Sequence, residues 1–163
     1  MKQEVDLGLL QQYAADYIAA RDTLSKRLRW RWPVLQVCGQ AYELTTKCAL
    51  VAQGMELKAL ARRPCAHDLV ALLSVLKARQ SAWVCDERHV ELLRRFNAMH
   101  FVTASGIRFM SRFPDHRHLH MKRATDIEEA VDSVVRQTDH CMRKLIEDLR
   151  SLGLTSMEVS ACE

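Results

Sequence analysis

Apolar residues along most of this chain recur at intervals of three and four, which is the period of an α-helix. The first such run extends from about Glu4 to Leu28. The second run, Val34 to Met55, follows Pro33, which is tolerated in a first helical turn, and meets no breaker until Gly54, a typical C-terminal stop. This run is apolar on nearly all sides, so the pattern predicts a long second helix that is buried at the centre of the molecule.

Three further helical runs follow a connector at 56–66, which is expected to hold no more than a short helical turn. They extend from His67 to about Gln80, from Asp86 to near Gly106, and from Thr125 to Leu149, where Thr125 and Glu128 form a capping-box signature. The stretch before the last run is irregular and basic, and the residues after about 153 are expected to fray. The runs together predict one all-α domain over residues 1–163, an antiparallel bundle of four to five helices.

The composition agrees with this class and excludes several others. The 163 residues include only five Gly and three Pro, too few for the frequent turns of a β-sandwich or barrel. No apolar stretch approaches the roughly 18 residues that a membrane span requires, and the acidic N-terminus is unlike a signal peptide, so we expect a cytoplasmic protein without membrane contact. The net charge of +4 is mild, and it permits binding to nucleic acid without demanding it.

Six cysteines are spread through the chain without a CxxC pair or a ladder of short spacings. Several fall on apolar helical faces, so we expect reduced thiols in the core rather than a disulfide framework or a metal site. The sequence has no phosphate-binding loop, and no cofactor is expected.

Charged residues inside the apolar second run are the most informative feature of the chain. Glu43 and Lys47 are spaced i, i+4 in the order that favours an ion pair on one helical face. His67 and Asp68 open the next apolar run, where an Asp in the first turn is favoured by the positive end of the helix dipole. These four residues either support the fold through ion pairs or frame a site.

Together these residues resemble the HEPN family of small helical bundles. Members of that family show a Glu and a Lys on the second helix, a Gly near its end, and a His-Asp-Leu that begins the third. In this chain the pattern reads Glu43, Lys47, Gly54, His67, Asp68 and Leu69, and Arg112 to Asp115 reads Arg-Phe-Pro-Asp where many relatives carry Arg-Tyr-Pro-Asp. The resemblance implies an all-α bundle in which Lys47, His67, Asp68 and Arg112 contact a nucleotide or RNA, or support the fold.

Catalytic members of the HEPN family are metal-independent ribonucleases with an Arg and a His separated by four to six residues. The best match here is Arg95 to His100 with Asn97 between them, although Phe96 follows Arg95 where active members usually carry Asn. The resemblance implies His100 as general acid or base, Arg95 as the holder of the phosphate, and Asn97 as the residue that orients one of them. An ordinary, partly buried helix pair is the alternative.

The resemblance also implies partners. Two protomers usually pool these residues in one cleft, so we expect a homodimer, and a nucleotidyltransferase-like antitoxin would be the partner of a toxin. The first hypothesis is therefore a ribonuclease of the toxin or defence type with RNA as its target. The second is a non-catalytic helical module that binds a nucleotide or another protein and cleaves nothing.

Two basic segments offer a surface for RNA. The run from Lys26 to Trp32 interleaves cations, among them Arg29 and Arg31, with two indoles, a combination suited to phosphate contact and base stacking. The alternative is that the indoles close the end of the bundle while the arginines are solvated.

The second basic segment, before the last helix, contains the alternating histidines His116, His118 and His120. In an extended chain their imidazoles would point the same way and could hold a transition metal. No spaced partner motif accompanies them, so a solvated basic loop is the other interpretation.

Overall fold

The computed structural model describes residues 2–27, 32–62, 65–80, 87–100 and 124–155. Across these residues the chain forms six helices and no strand: α1 (Lys2–Arg27), α2 (Trp32–Ala52), α3 (Leu57–Leu60), α4 (Leu69–Arg79), α5 (Glu87–His100) and α6 (Ala124–Ser151). The all-α class predicted from the apolar spacing is confirmed for the described part. Five of these helices are long, and α3 is a single turn inside the connector.

Helix α2 lies at the centre of the described structure, as its all-round apolar pattern predicted. From residue 41 to residue 51 all of its side chains except Leu44 are buried. It contacts each of the other five helices. The other long helices each add one apolar stripe to the same core, which includes Leu10, Ala14, Ile18, Leu69, Leu72, Leu73, Leu76, Leu93, Phe96, Val134, Met142, Leu145, Ile146 and Leu149.

Gly54 ends α2 in the way the sequence indicated. Its φ of 84° lies in the left-handed region that favours glycine. The Gly54 N–H donates to the Val51 carbonyl at 2.9 Å, and the Met55 N–H donates to the Leu50 carbonyl at 3.0 Å. These two bonds form a Schellman motif, so the last carbonyl groups of α2 are satisfied before the connector begins.

The same motif ends α6 at Gly153, whose φ is 70°. The Gly153 N–H donates to Arg150 at 2.9 Å and the Leu154 N–H donates to Leu149 at 2.8 Å. Leu154 packs against the core and Thr155 is buried. Ordered packing therefore continues past the point at which the sequence pattern predicted a tail.

Two helices begin one or two residues away from their predicted starts. Helix α4 begins at Leu69, and Asp68 precedes it with an extended backbone (φ −85°, ψ 102°) instead of lying in its first turn. Helix α6 begins at Ala124, so Thr125 lies inside the first turn and not at the capping position that its spacing to Glu128 indicated. The predicted end of α5 near Gly106 lies outside the described residues.

Candidate functional site

Glu43 and Lys47 form the ion pair that their spacing on α2 predicted. The Lys47 Nζ lies 2.6 Å from the Glu43 Oε1, and the two side chains are only 9% and 4% exposed. The same Nζ donates to the Ala66 carbonyl at 2.7 Å. Because charges this deeply buried are costly without partners, the pair fixes the loop before α4 against α2.

His67 shares the carboxylate of Glu43. Its Nδ1 lies 3.2 Å from the Glu43 Oε2, and its side chain is 41% exposed while that of Glu43 is 4% exposed. An ionised carboxylate only accepts hydrogen bonds, so the Nδ1 donates in this contact. In the neutral imidazole that assignment leaves the lone pair on Nε2.

Asp68 and Asn97 together close the start of α4. The Asp68 Oδ1 accepts from the backbone N–H groups of Val70 and Ala71, both at 3.0 Å. The Asn97 Oδ1 accepts from the Leu69 N–H at 3.1 Å, and the Asn97 Nδ2 donates to the Asp68 Oδ1 at 3.1 Å. The first three N–H groups of α4 are thus satisfied by side chains, so this helix start does not offer them to a phosphate.

The structure therefore brings two groups of predicted residues together. Asn97, predicted to serve a catalytic Arg and His, contacts Asp68, which was predicted, with Lys47 and His67, either to bind a nucleotide or to support the fold. We call this set the polar junction; it comprises Glu43, Lys47, His67, Asp68 and Asn97. It joins α2, the loop before α4, and α5.

Helical geometry separates the other two predicted catalytic positions, 95 and 100, around α5. Arg95 is exposed, whereas its neighbour Phe96 is fully buried in the core. Positions 95 and 100 are separated by about 140° around an ideal helix axis, because each residue advances about 100°. One α5 therefore does not direct Arg95 and position 100 to the same side.

Several predictions fall outside the described residues. These concern the side chain of His100 and all of Arg29, Arg31, Arg112, His116, His118 and His120. Within the described residues, no three His, Cys, Asp or Glu side chains are grouped so that they could hold a metal ion.

Sequence reasoning missed a buried pair between α2 and α5. The Tyr42 hydroxyl lies 2.7 Å from the His89 Nε2, and the two rings meet edge to face with centroids 5.9 Å apart. His89 occupies a helical row with Leu93 and Phe96, and a polar residue in such an apolar row was the available signal. The pair fixes α5 against α2 and so positions Asn97.

A second missed group is an ion cluster that links α1 and α6. Arg21 pairs with Asp139 and with Asp22, the latter at 2.7 Å. Arg143 lies 3.1 Å from Asp22 and 3.2 Å from Asp139. The signal was Arg21 itself, a charged residue seven positions after the buried Ala14 on the core side of α1.

One buried thiol, Cys65, lies beside the polar junction, and another, Cys38, lies beside the ion cluster. Burial raises the pKa of Cys65, with the Lys47 ammonium opposing this rise and the Asp68 carboxylate adding to it. Burial also raises the pKa of Cys38 to about 12, with Asp139 adding to the rise and Arg21 opposing it. Both thiols therefore stay protonated at neutral pH, which argues against either as a nucleophile.

None of the described helices combines the length and the apolar character needed to cross a membrane. Comparison of the chain with family models, with curated proteins and with solved structures gives no match.

Proposed function

We propose that this chain is a HEPN-like, RNA-targeting protein of the toxin or defence type, an antiparallel helical bundle that cleaves RNA without a metal ion. The observation that carries the proposal is the contact between Asn97 and Asp68. It supports a shared site for the two histidine positions, because position 100 is only about 60° from Asn97 around α5 and the contact joins this side of α5 to the loop that contains His67. Imidazole groups suit the proton transfers of phosphodiester cleavage, and the guanidinium of Arg95 suits the charge that develops on the phosphate.

A homodimer is part of this proposal. Positions 95 and 100 are about 140° apart around one ideal helix, so a single α5 is poorly suited to present both residues to one phosphate. Two copies placed side by side would let Arg95 of one protomer hold a phosphate while His100 of its partner transfers a proton. In a cell, a cytoplasmic ribonuclease of this kind would be held inactive by a nucleotidyltransferase-like antitoxin.

Cleavage of total RNA in the presence of a metal chelator tests the proposal. The wild-type protein is expected to cut RNA with and without chelator, and His100→Ala is expected to lose this activity. His140→Ala is the matched control, because His140 is an exposed histidine on α6 far along the chain from the candidate site. Cleavage that requires a divalent metal, or that persists in His100→Ala, would contradict the proposal.

The second candidate is a non-catalytic module that binds a nucleotide or another protein. Within this candidate, a protein is favoured over a nucleotide, because the start of α4 and the Lys47 ammonium are already engaged with the chain itself and are not offered to a phosphate. This function predicts no cleavage at any protein concentration. Growth arrest on expression separates the two: arrest that vanishes in His100→Ala supports the nuclease, whereas equal growth of both forms supports the binding module.

A further inference from the structure

We propose that His67 is a second acid–base residue of the RNA cleavage described above, acting as the general base, with Glu43 as its positioning residue. The inference rests on the proposed function and adds to it a residue outside the Arg95 to His100 segment. It is carried by the geometry of the polar junction, in which one carboxylate orients an exposed imidazole.

Both oxygens of the Glu43 carboxylate take part in orienting His67. The Glu43 Oε2 faces the His67 Nδ1 at 3.2 Å, and its Oε1 holds the Lys47 ammonium at 2.6 Å. Lys47 in turn binds the carbonyl of Ala66, the residue just before His67. Side chain and backbone are thus anchored to the same buried pair on α2, so the imidazole is held in one orientation before any substrate arrives.

The tautomer selected by this contact suits a base. Because the Nδ1 donates to a carboxylate, the basic lone pair of the neutral ring lies on Nε2. The His67 side chain is 41% exposed, whereas His89 is only 8% exposed. When the ring gains a proton on Nε2, the Glu43 carboxylate stabilises the imidazolium that forms, as the acidic member of a catalytic triad does.

The chemistry requires no further reactant. The His67 Nε2 takes the proton of a ribose 2′-hydroxyl, and the 2′-oxygen forms a bond to the adjacent phosphorus. The bond from phosphorus to the 5′-oxygen breaks, and the leaving oxygen takes a proton from the protonated imidazole of His100. The products are a 2′,3′-cyclic phosphate and a 5′-hydroxyl end. His67 then gives its proton to water and His100 takes one up, so both residues are restored before the next turnover.

His67→Asn separates a chemical role from a structural one. The Asn side-chain N–H can still donate to Glu43, but the amide cannot accept a proton at neutral pH. We expect its RNA cleavage rate to fall by about 10²- to 10⁴-fold, the usual contribution of general acid–base catalysis, with circular dichroism unchanged. We also expect its pH–rate profile to lack the low-pH limb that a general base contributes to a rate. His140→Ala should retain both the wild-type rate and the full profile.

Glu43→Gln tests the positioning role. It should lower kcat by about 10- to 100-fold with KM unchanged, because a hydrogen bond that orients a functional side chain is commonly worth that much activity. A second measurement does not depend on activity: imidazole ¹H–¹⁵N spectra of the wild-type protein should show the neutral His67 ring with its proton on Nδ1. A proton on Nε2 would overturn the inference.

The outcomes distinguish this inference from the proposed function. If His67→Asn cleaves RNA at the wild-type rate while His100→Ala does not, the role of His67 is overturned and the ribonuclease stands. If the wild-type protein cleaves no RNA, both fall. If His67→Asn loses activity but keeps the low-pH limb in its residual rate, His67 is not the base.

Discussion

The polar junction and the ion cluster pair charges in different ways. In the ion cluster, two arginines and two aspartates bind one another side chain to side chain across α1 and α6. In the polar junction, four of the seven hydrogen bonds described above go to backbone groups: the Ala66 carbonyl and the N–H groups of Leu69, Val70 and Ala71. The ion cluster holds two helices together, whereas the junction fixes a loop and orients one exposed imidazole. A site for chemistry needs the second arrangement, because it places a reactive group accurately.

Breaking the ion cluster should have the largest effect on stability. Arg21→Met removes a cation whose side chain is only 8% exposed and leaves Asp22 and Asp139 to share Arg143. Removing one partner of a buried ion pair typically costs 3–5 kcal/mol, and the remaining arginine reduces this, so we expect a loss of about 3 kcal/mol in the free energy of unfolding. Urea denaturation followed by circular dichroism measures it.

Arg136→Met on α6 is the control for this comparison. Arg136 also pairs with an aspartate, Asp132, at 2.7 Å, but its side chain is 74% exposed. An exposed pair of this kind contributes about 0–1 kcal/mol. Equal losses from Arg21→Met and Arg136→Met would show that burial does not distinguish the ion cluster from a surface pair.

The buried thiol of Cys38, beside the ion cluster, makes the free energy of unfolding depend on pH in the alkaline range. Its pKa rises from 9.0 to about 12 on folding, chiefly because of burial. The folded state therefore keeps a proton that the unfolded chain releases above pH 9, so this contribution is complete below pH 9 and is lost as the pH rises from 9 to 12. Between pH 8 and pH 10 the loss for this one thiol is about 1.4 kcal/mol.

Cys38→Ser isolates that contribution. Other groups titrate in the same range, so the useful quantity is the change in unfolding free energy between pH 8 and pH 10 in the wild type minus the same change in the variant. A serine hydroxyl does not titrate there, and the loss should be smaller in the variant by about 1.4 kcal/mol. An identical pH dependence in both proteins would contradict the assignment.

The two groups also differ in how far the sequence predicts them. The Glu43 and Lys47 pair follows from a spacing of four residues on one helix, and Asp68 could be placed at the start of α4 to within one residue. Asn97 is separated from Asp68 by 29 residues and Arg21 from Asp139 by 118. Contacts of that kind depend on how helices pack, and helical periodicity gives the buried face without naming the partner.

The central helix shows the same limit. The all-round apolar character of α2 was enough to predict its burial, and Gly54 was enough to predict its end. It was not enough to predict that Tyr42 meets His89 across the core. Arg95 and Asn97 were predicted as partners in one motif, but they lie about 160° apart around α5, and the amide of Asn97 is used to cap α4. A motif defined by spacing alone does not reveal which of its members the fold needs.

The smallest expected effect comes from the junction. Asn97→Ala removes the acceptor for the Leu69 N–H, while Asp68 still binds Val70 and Ala71, so we expect a loss of about 1 kcal/mol in the free energy of unfolding. Its signature should be local: thiol labelling resolved by peptide mass spectrometry should become faster at Cys65, which lies beside Lys47 and Asp68, and not at Cys38. Arg21→Met should do the reverse.

The double variant Arg21→Met with Asn97→Ala then tests whether the two groups are independent. They share no residue, so their losses should add to within about 0.5 kcal/mol. A larger deviation would mean that α1 and α6 influence the loop before α4 through α2. The junction would then depend on the ion cluster for its geometry. In that case Arg21→Met should also change the imidazole ¹H–¹⁵N spectrum of His67.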